Sequence, residues 1–407
     1  MMKMKVISIL FLLLLQQMNI SAQSVENSDE PWRETALPWP LGVQQRLDSM
    51  MRDPLLDTTQ AALMVWDLSA GCSLFSFNHR QLMRPASTMK LLTAITALDQ
   101  LGGQHPFTTS LYYNGTIADG GILHGDIYCV GGMDPMFDYA DMDSLVVAIK
   151  DVGIRRIIGR VVGDVSMKDT LRWGEGWCWD DDNPTLTPLL VGRKDNFMQV
   201  LMSKLARGGV DVGSAYAATG RLPRLATLIT MRSHTLGDVL HTMMKESDNL
   251  YAECTFFQVA ASSSQQPARA IDAARQERAL IERTGLPSAP YRIADGSGLS
   301  LYNYLSAELE VALLRYAYQR VDLYDRLLPT LPMAGVDGTL KKRMKGTAAE
   351  ANVQAKTGTL SGVISLAGYL TAASGHRLCF AILNQGTLRA ADARAFQDKI
   401  CTILCEP

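Results

Sequence analysis

The sequence predicts an α+β protein in which one sheet is assembled from both ends of the chain and a β-rich segment is inserted between them. Strand-like runs stand near each end with helical stretches between, the arrangement that brings two chain ends into one layer. A nearly all-apolar helix follows the first strands, which marks a centrally buried element. From about residue 106 to 196 the texture changes to short alternating runs punctuated by glycine. The composition fits: 407 residues, 47% hydrophobic and 20% charged, with a formal charge of −2. This excludes a disordered tail protein, a collagen-like repeat and a disulfide-dense mini-protein. The near-balanced charge provides no electrostatic footprint for nucleic acid.

Taken in order, Met1–Lys5 carries two lysines, Val6–Leu15 is apolar but for Ser8, and Ile20-Ser21-Ala22 precedes Gln23. Residues 1–22 therefore read as a cleaved secretory signal peptide. The apolar run falls short of the ~20 residues that span a bilayer, and no later stretch supplies a stable membrane span, so the mature protein is expected to be soluble in the periplasm. Leu41–Arg52 is helical, and Ala61–Asp67 and Cys72–Asn78 are strands about the Ala70-Gly71 turn. A helix starting at Ser87 runs through Leu91, Leu92, Ile95 and Leu98. The inserted segment contains the strand-like runs Thr108–Tyr113 and Asp126–Val130 and the helix Met142–Val152. Helices return at Leu236–Glu246, Leu250–Ala261 and Ala268–Thr284. Strands at Val353–Leu360, Val363–Thr371 and His376–Leu383 precede a last helix, Ala390–Leu404. The expected division is a discontinuous domain of residues 23–105 and 197–407 around an insert of residues 106–196. Seven cysteines lie scattered along the chain; an odd number in an oxidising compartment leaves at least one unpaired within the chain, and mostly buried apolar thiols are expected.

The chemistry is first bounded by absences. The chain has no Gly-x-Ser-x-Gly elbow, no His-Glu-x-x-His, no Walker loop and no Gly-x-Gly-x-x-Gly, and its six histidines lack metal-ligand spacing. Neither a metal nor a cofactor is expected. What stands out is Pro85-Ala86-Ser87-Thr88-Met89-Lys90. Ser-x-x-Lys alone is common enough to arise by chance. Here, however, Ser87 opens a helix, which places Lys90 one turn on and on the same face, at a terminus whose free N–H groups favour developing negative charge. A lysine serves as a base only if burial or a second cation lowers its pKa, and Lys90 sits amid Met89, Leu91 and Leu92. Ser247-Asp248-Asn249 falls between two helices, as it must for Ser247 and Asn249 to face one cleft. Lys356-Thr357-Gly358-Thr359 opens a strand, where Gly358 permits close approach of a substrate backbone. Strict alternation puts Lys356 and Thr357 on opposite faces.

Together, in this order, the three motifs resemble the penicilloyl-serine transferase superfamily of penicillin-binding proteins and serine β-lactamases. Gly131-Gly132-Met133-Asp134-Pro135, Gly176-Trp177-Cys178-Trp179-Asp180-Asp181, Ala294-Asp295-Gly296-Ser297-Gly298-Leu299-Ser300 and Leu331-Pro332-Met333-Ala334-Gly335-Val336-Asp337-Gly338-Thr339-Leu340 narrow the resemblance. They are similar to the class C low-molecular-mass penicillin-binding proteins, serine D-alanyl-D-alanine carboxypeptidases/endopeptidases, from about Ala61 to Leu383. The resemblance implies an antiparallel sheet flanked by helices with an inserted β-rich domain, peptidoglycan stem peptides as substrate and β-lactam antibiotics as covalent inhibitors. It implies Ser87 as nucleophile and Lys90 as its general base, with Ser247 and Asn249 relaying protons and holding the substrate amide. Lys356 and Thr357 would bind the terminal carboxylate, and the backbone N–H groups of Ser87 and Thr359 would form the oxyanion hole. Asp164 aligns loosely with an acidic residue that contacts the peptide's diamino acid.

There are departures. Leu301-Tyr302-Asn303 stands where a basic residue commonly follows the second serine, Met133 stands where glycine is common, and a further module of larger members, expected after Asn196, is missing as the chain passes through Phe197–Gly208 to the later helices. A β-lactamase is disfavoured, because no Glu-x-x-Leu-Asn segment supplies a deacylating base and β-lactamases lack such an insert. An idle muropeptide- or β-lactam-binding protein is disfavoured by three intact motifs.

Overall fold

Alternating apolar residues at the two ends of the chain build the first sheet. A computed structural model of the protein describes residues 37–263 and 267–407; the expected signal peptide lies outside the described residues. Strands β1 (Gln60–Asp67) and β2 (Cys72–Phe77) come from the first hundred residues, and β9 (Gln354–Leu360), β10 (Val363–Thr371) and β11 (Arg377–Gln385) from the last sixty or so. They pair antiparallel in the order β2-β1-β11-β10-β9, with Ala62 opposite Leu383 and Thr359 opposite Ile364. β9, the strand of the Lys-Thr-Gly motif, is therefore an edge.

Period-two alternation gives this sheet two apolar faces. Leu63, Val65, Leu366, Phe380 and Ile382 pack under helices α1 (Leu41–Met50) and α10 (Ala390–Cys405). Ala62, Met64, Ala367, Tyr369 and Ala381 face a helical core. That core is centred on α2 (Met89–Leu101), in which every residue from Met89 to Leu98 is at most 6% exposed. Burial of its Leu91, Leu92 and Ile95, at roughly 2 kcal/mol each, anchors a helix that also carries a fully buried lysine. Around α2 stand α5 (Leu236–Lys245), α6 (Asn249–Ala261), α7 (Ala270–Arg283), α8 (Ala307–Tyr318) and α9 (Val321–Leu327).

A second, mixed sheet contains β3 (Pro106–Ala118), β4 (Ile122–Gly131), β5 (Arg156–Ile158), β6 (Arg160–Asp164), β7 (Tyr216–Thr219) and β8 (Thr227–Thr235). Its apolar face, including Leu111, Ile127 and Val161, packs on α3 (Tyr139–Asp151) and α4 (Phe197–Arg207). The boundary expected at residue 196 falls inside this sheet. β8 pairs with β3 from Pro106–Thr235 to Tyr113–Thr227, and β7 pairs with β6. Without β8, one edge of β3 would be left with unpaired backbone groups, so the segment ends near residue 235, and the chain does not pass directly from Gly208 to the later helices. All seven cysteines are free thiols, and five of them (Cys129, Cys254, Cys379, Cys401 and Cys405) are buried.

Candidate active site

The turn that carries Ser87 is held from three sides. A 3₁₀ turn over Ala86–Thr88 leads into α2, so Ser87 sits at the helix entrance, half-buried, one turn before Lys90. Thr88 Oγ1 donates to the Pro85 carbonyl at 2.8 Å and meets Glu310 Oε1 of α8 at 2.5 Å. Ser365 Oγ of β10 donates to the same Pro85 carbonyl. Ala86 has φ +49°, a left-handed conformation that costs a non-glycine residue of order 1–3 kcal/mol and recurs at functional sites. Gly298 abuts it so closely that a Cβ there would lie 1.8 Å from the Ala86 carbonyl oxygen.

Lys90 reaches back along its helix. Its Nζ donates to Ser87 Oγ at 3.0 Å, to Asn249 Oδ1 at 2.8 Å and to the Ser297 carbonyl at 2.7 Å. Burial lowers its pKa to about 8, against the upward pull of Asp295, Glu253 and Asp248. Ser247 and Asn249 reach the same cleft because α5 ends at Lys245 and Asp248 caps α6, accepting from Tyr251 N. Ser247 turns at φ +60°, a second left-handed non-glycine residue in this cleft.

Lys356 departs from its expected place. Its side chain is fully buried, and its Nζ donates to Ser247 Oγ at 2.7 Å and to the Thr357 carbonyl at 2.8 Å. Burial and the neighbouring Lys90 push its pKa well down. As alternation dictates, Thr357 and Thr359 face outward and Lys356 and Gly358 inward. Gly358 also has a different role from the one expected: a Cβ there would lie 2.9 Å from Ser87 N, 2.8 Å from the Pro85 carbonyl oxygen and 2.0 Å from Ser365 Oγ. The glycine lets β9 close on the turn that carries Ser87.

Ser87, Ser247, Asn249, Thr357 and Thr359 thus line one cleft of about 480 Å³. Its other walls are Thr339, which stands in the Leu331–Leu340 segment, and Lys342, Arg343 and Arg394, which no motif marks. Thr339 Oγ1 lies 2.7 Å from Thr357 Oγ1. Asp164 is not brought to this cleft. At the end of β6, its carboxylate accepts from Ser166 N at 2.9 Å and Leu222 N at 2.7 Å, a turn-holding role.

Behind the cleft, sequence reasoning missed a buried carboxylate layer. Glu253 Oε1 accepts from Gly296 N and Ser297 N at 3.1 and 2.8 Å, so it fixes the residue whose carbonyl holds Lys90. Burial and Asp295 raise the Glu253 pKa to about 8. Asp295 gathers Gly298 N, Ser300 N, Asn303 Nδ2 and Trp177 Nε1, tying the Gly-Trp-Cys-Trp segment to this loop. The signal was available: Glu253 lies four residues beyond Asn249, one turn along α6 on the same face. At the departure noted earlier, the Leu301 carbonyl accepts from Arg84 Nε at 2.9 Å, and buried Asn303 braces Ala294 and Asp295. Met133 holds φ +55°, the conformation that explains glycine elsewhere.

Residues 43–190 and 191–406 match the D-Ala-D-Ala carboxypeptidase 3 (S13) family. The chain belongs to that family. It is accordingly a class C low-molecular-mass penicillin-binding protein and a serine-peptidase hydrolase. The D-alanyl-D-alanine carboxypeptidase of Actinomadura sp. (strain R39) is 28% identical over 89% of this chain and 84% of that protein. D-alanyl-D-alanine carboxypeptidase DacB of Haemophilus influenzae is 27% identical over 75% of this chain and 81% of its own length. The fold is that of penicillin binding protein 4 from Haemophilus influenzae, with a TM-score of 0.80 at 23% identity over 88% of this chain and 97% of that one. Among the described residues, no helix is long and apolar enough to cross a membrane.

Proposed function

We propose that this penicillin-binding protein hydrolyses the D-Ala-D-Ala bond of peptidoglycan stem peptides, and cross-links of the same chemistry, through an acyl-enzyme on Ser87. The observation that carries this reading is the buried Lys90 ammonium 3.0 Å from Ser87 Oγ. Neutral Lys90 takes the Ser87 proton as Oγ bonds to the carbonyl carbon of the penultimate D-Ala. The oxyanion is met by the backbone N–H groups of Ser87 and Thr359; such a donor is worth roughly 3–4 kcal/mol. Asn249 holds the substrate amide. As the C–N bond breaks, Ser247 passes its proton to the departing D-Ala nitrogen and is recharged from Lys356. The proton held by Lys90 moves to Lys356, which restores both lysines; water then attacks the ester carbon, its proton going to neutral Lys90, which hands it to the Ser87 oxygen as that oxygen leaves.

A β-lactam acylates Ser87 by the same attack on its ring amide. The Haemophilus influenzae penicillin binding protein 4 solved in complex with a β-lactam supports that extension. The two curated relatives support the substrate by their names. The leader read at residues 1–22 supports action in the periplasm, in cell-wall remodelling. We expect Ser87→Ala to abolish both covalent labelling by a fluorescent penicillin and D-Ala release from a pentapeptide. Release that persists in that variant refutes the mechanism, and rapid penicillin turnover by the wild type assigns a β-lactamase instead.

A further inference from the structure

The Ser247-Asp248-Asn249 segment is held from outside its own helices, by a side chain of the inserted segment. Val191 and Lys194 exchange both backbone hydrogen bonds, each 3.1 Å, around Gly192 and Arg193. This makes a two-residue hairpin turn with positive φ at both central residues, +54° at Gly192 and +70° at Arg193. Such turns favour glycine or asparagine, so an arginine in this left-handed position is strained. The base of the turn belongs to the insert: Val191 is buried in its core, and Gly192 N donates to the Phe137 carbonyl at 2.9 Å. Its tip crosses to the helical core. Arg193 Nη1 lies 2.5 Å from Asp248 Oδ2, and the guanidinium stands 5.6 Å from the centroid of the Tyr251 ring. The other Asp248 oxygen accepts from Tyr251 N at 3.2 Å and so caps α6.

We propose that Arg193 is a positioning residue for Ser247 and Asn249, through which the inserted segment fixes the proton-relay side of the cleft. This rests on the Ser87 acyl-enzyme reading above. With one oxygen capping α6 and the other taken by Arg193, the Asp248 carboxylate cannot rotate. The backbone on either side of it carries Ser247, itself left-handed, and Asn249, whose Oδ1 lies 2.8 Å from Lys90 Nζ. Without the guanidinium the second oxygen turns to water, the cap loosens, and Ser247 and Asn249 shift together while Ser87 and Lys90 stay in place on α2. Stability does not account for the pair: Arg193 is half-exposed, and an ion pair open to solvent contributes little. A strained residue persists where the surrounding structure over-determines it, commonly at a functional site. Here the strain aims one arginine at the middle of the Ser-x-Asn motif.

Arg193→Gly tests this without endangering the fold, because it removes the charge and suits the left-handed turn better than arginine does. Its Tm is expected to equal or exceed that of the wild type. The rate of Ser87 acylation at saturating penicillin falls about ten- to hundredfold, as a small misplacement of reacting groups produces. The penicillin concentration that gives half the maximal rate changes little, Arg193→Lys restores part of the rate, and Asp248→Asn adds no further loss in the Arg193→Gly background. An unchanged acylation rate in Arg193→Gly overturns the assignment. So does a loss that comes with a lower Tm, which marks a brace of the fold, or a full additional loss from Asp248→Asn. A wild type that penicillin does not acylate overturns the Ser87 reading and this assignment with it, whereas an unchanged rate in the variant leaves that reading standing.

Discussion

Lys90 can take a proton from Ser87 only while it is neutral, and a pKa of about 8 leaves about one molecule in ten ready at pH 7. For D-Ala release, kcat/KM should therefore rise with pH up to about 8 and level off above it, which a pH–rate profile reads directly. Glu253 is the lever on that limb. It lies behind the Gly296–Ser297 amides, its charge favours protonated Lys90, and its own pKa is raised to about 8, so the two groups titrate together. In Glu253→Gln the side-chain carbonyl still accepts from both amides but the negative charge is gone, so the limb moves to lower pH. A profile that loses height without moving marks Glu253 as a structural brace only. The four-residue spacing of Asn249 and Glu253 puts the two on one face of α6, but no spacing joins Glu253 to Asp295 and Lys90, because α6, the 294–300 loop and α2 meet only in the folded core.

At the level of elements, the closure of β9 on the nucleophile turn depends on the missing side chain at residue 358. Gly358→Ala would drive a methyl against Ser365 Oγ, the Pro85 carbonyl and Ser87 N. We expect it to destabilise by about 1–3 kcal/mol and to cut the penicillin acylation rate by more than about tenfold, seen in a melting curve and a labelling time course. Wild-type labelling in that variant would mean that the strand has no part in shaping the oxyanion hole. The elements were legible where their apolar period was strong. β1, β10, β11 and α2 are buried on repeating faces and lie where periodicity puts them. β8 is largely exposed, with a polar pattern, so its pairing with β3 left no trace in the sequence and the boundary at 196 was misplaced. The Ser-x-x-Lys and Ser-x-Asn motifs were legible because their spacing itself constrains geometry. The direction taken by Lys356 and the arrival of Arg394 from the last helix depend on tertiary approach, which spacing does not encode.

Across the whole molecule, three fully buried glutamates, Glu253, Glu277 and Glu310, link stability to pH. Their pKa values lie above the ordinary 4.5, those of Glu253 and Glu310 at about 8, chiefly through burial. In the unfolded chain they ionise near 4.5, whereas in the folded protein Glu253 and Glu310 keep their protons until about pH 8 and burial holds the Glu277 pKa well above 4.5. Their contribution is thus fully present below pH 4.5 and is lost as pH rises toward 8. For Glu310 alone, the pH-dependent loss by pH 7 is about 3 kcal/mol. The Tm should fall from pH 5 to pH 8, and Glu310→Gln should flatten that fall; an equal fall in the variant removes Glu310 as a source. The sheet that joins both ends of the chain also sets a timetable. A nascent chain that has reached α9 already holds Ser87, Lys90, Ser247 and Asn249, but it lacks the edge strand with the second lysine and the helix bearing Arg394. β1 meanwhile waits for β11, a partner some 300 residues away, and pairings of that range form late. Until then the turn that carries Ser87 stands without its edge strand, and the cleft closes only when the strands and helix that follow α9 have been made.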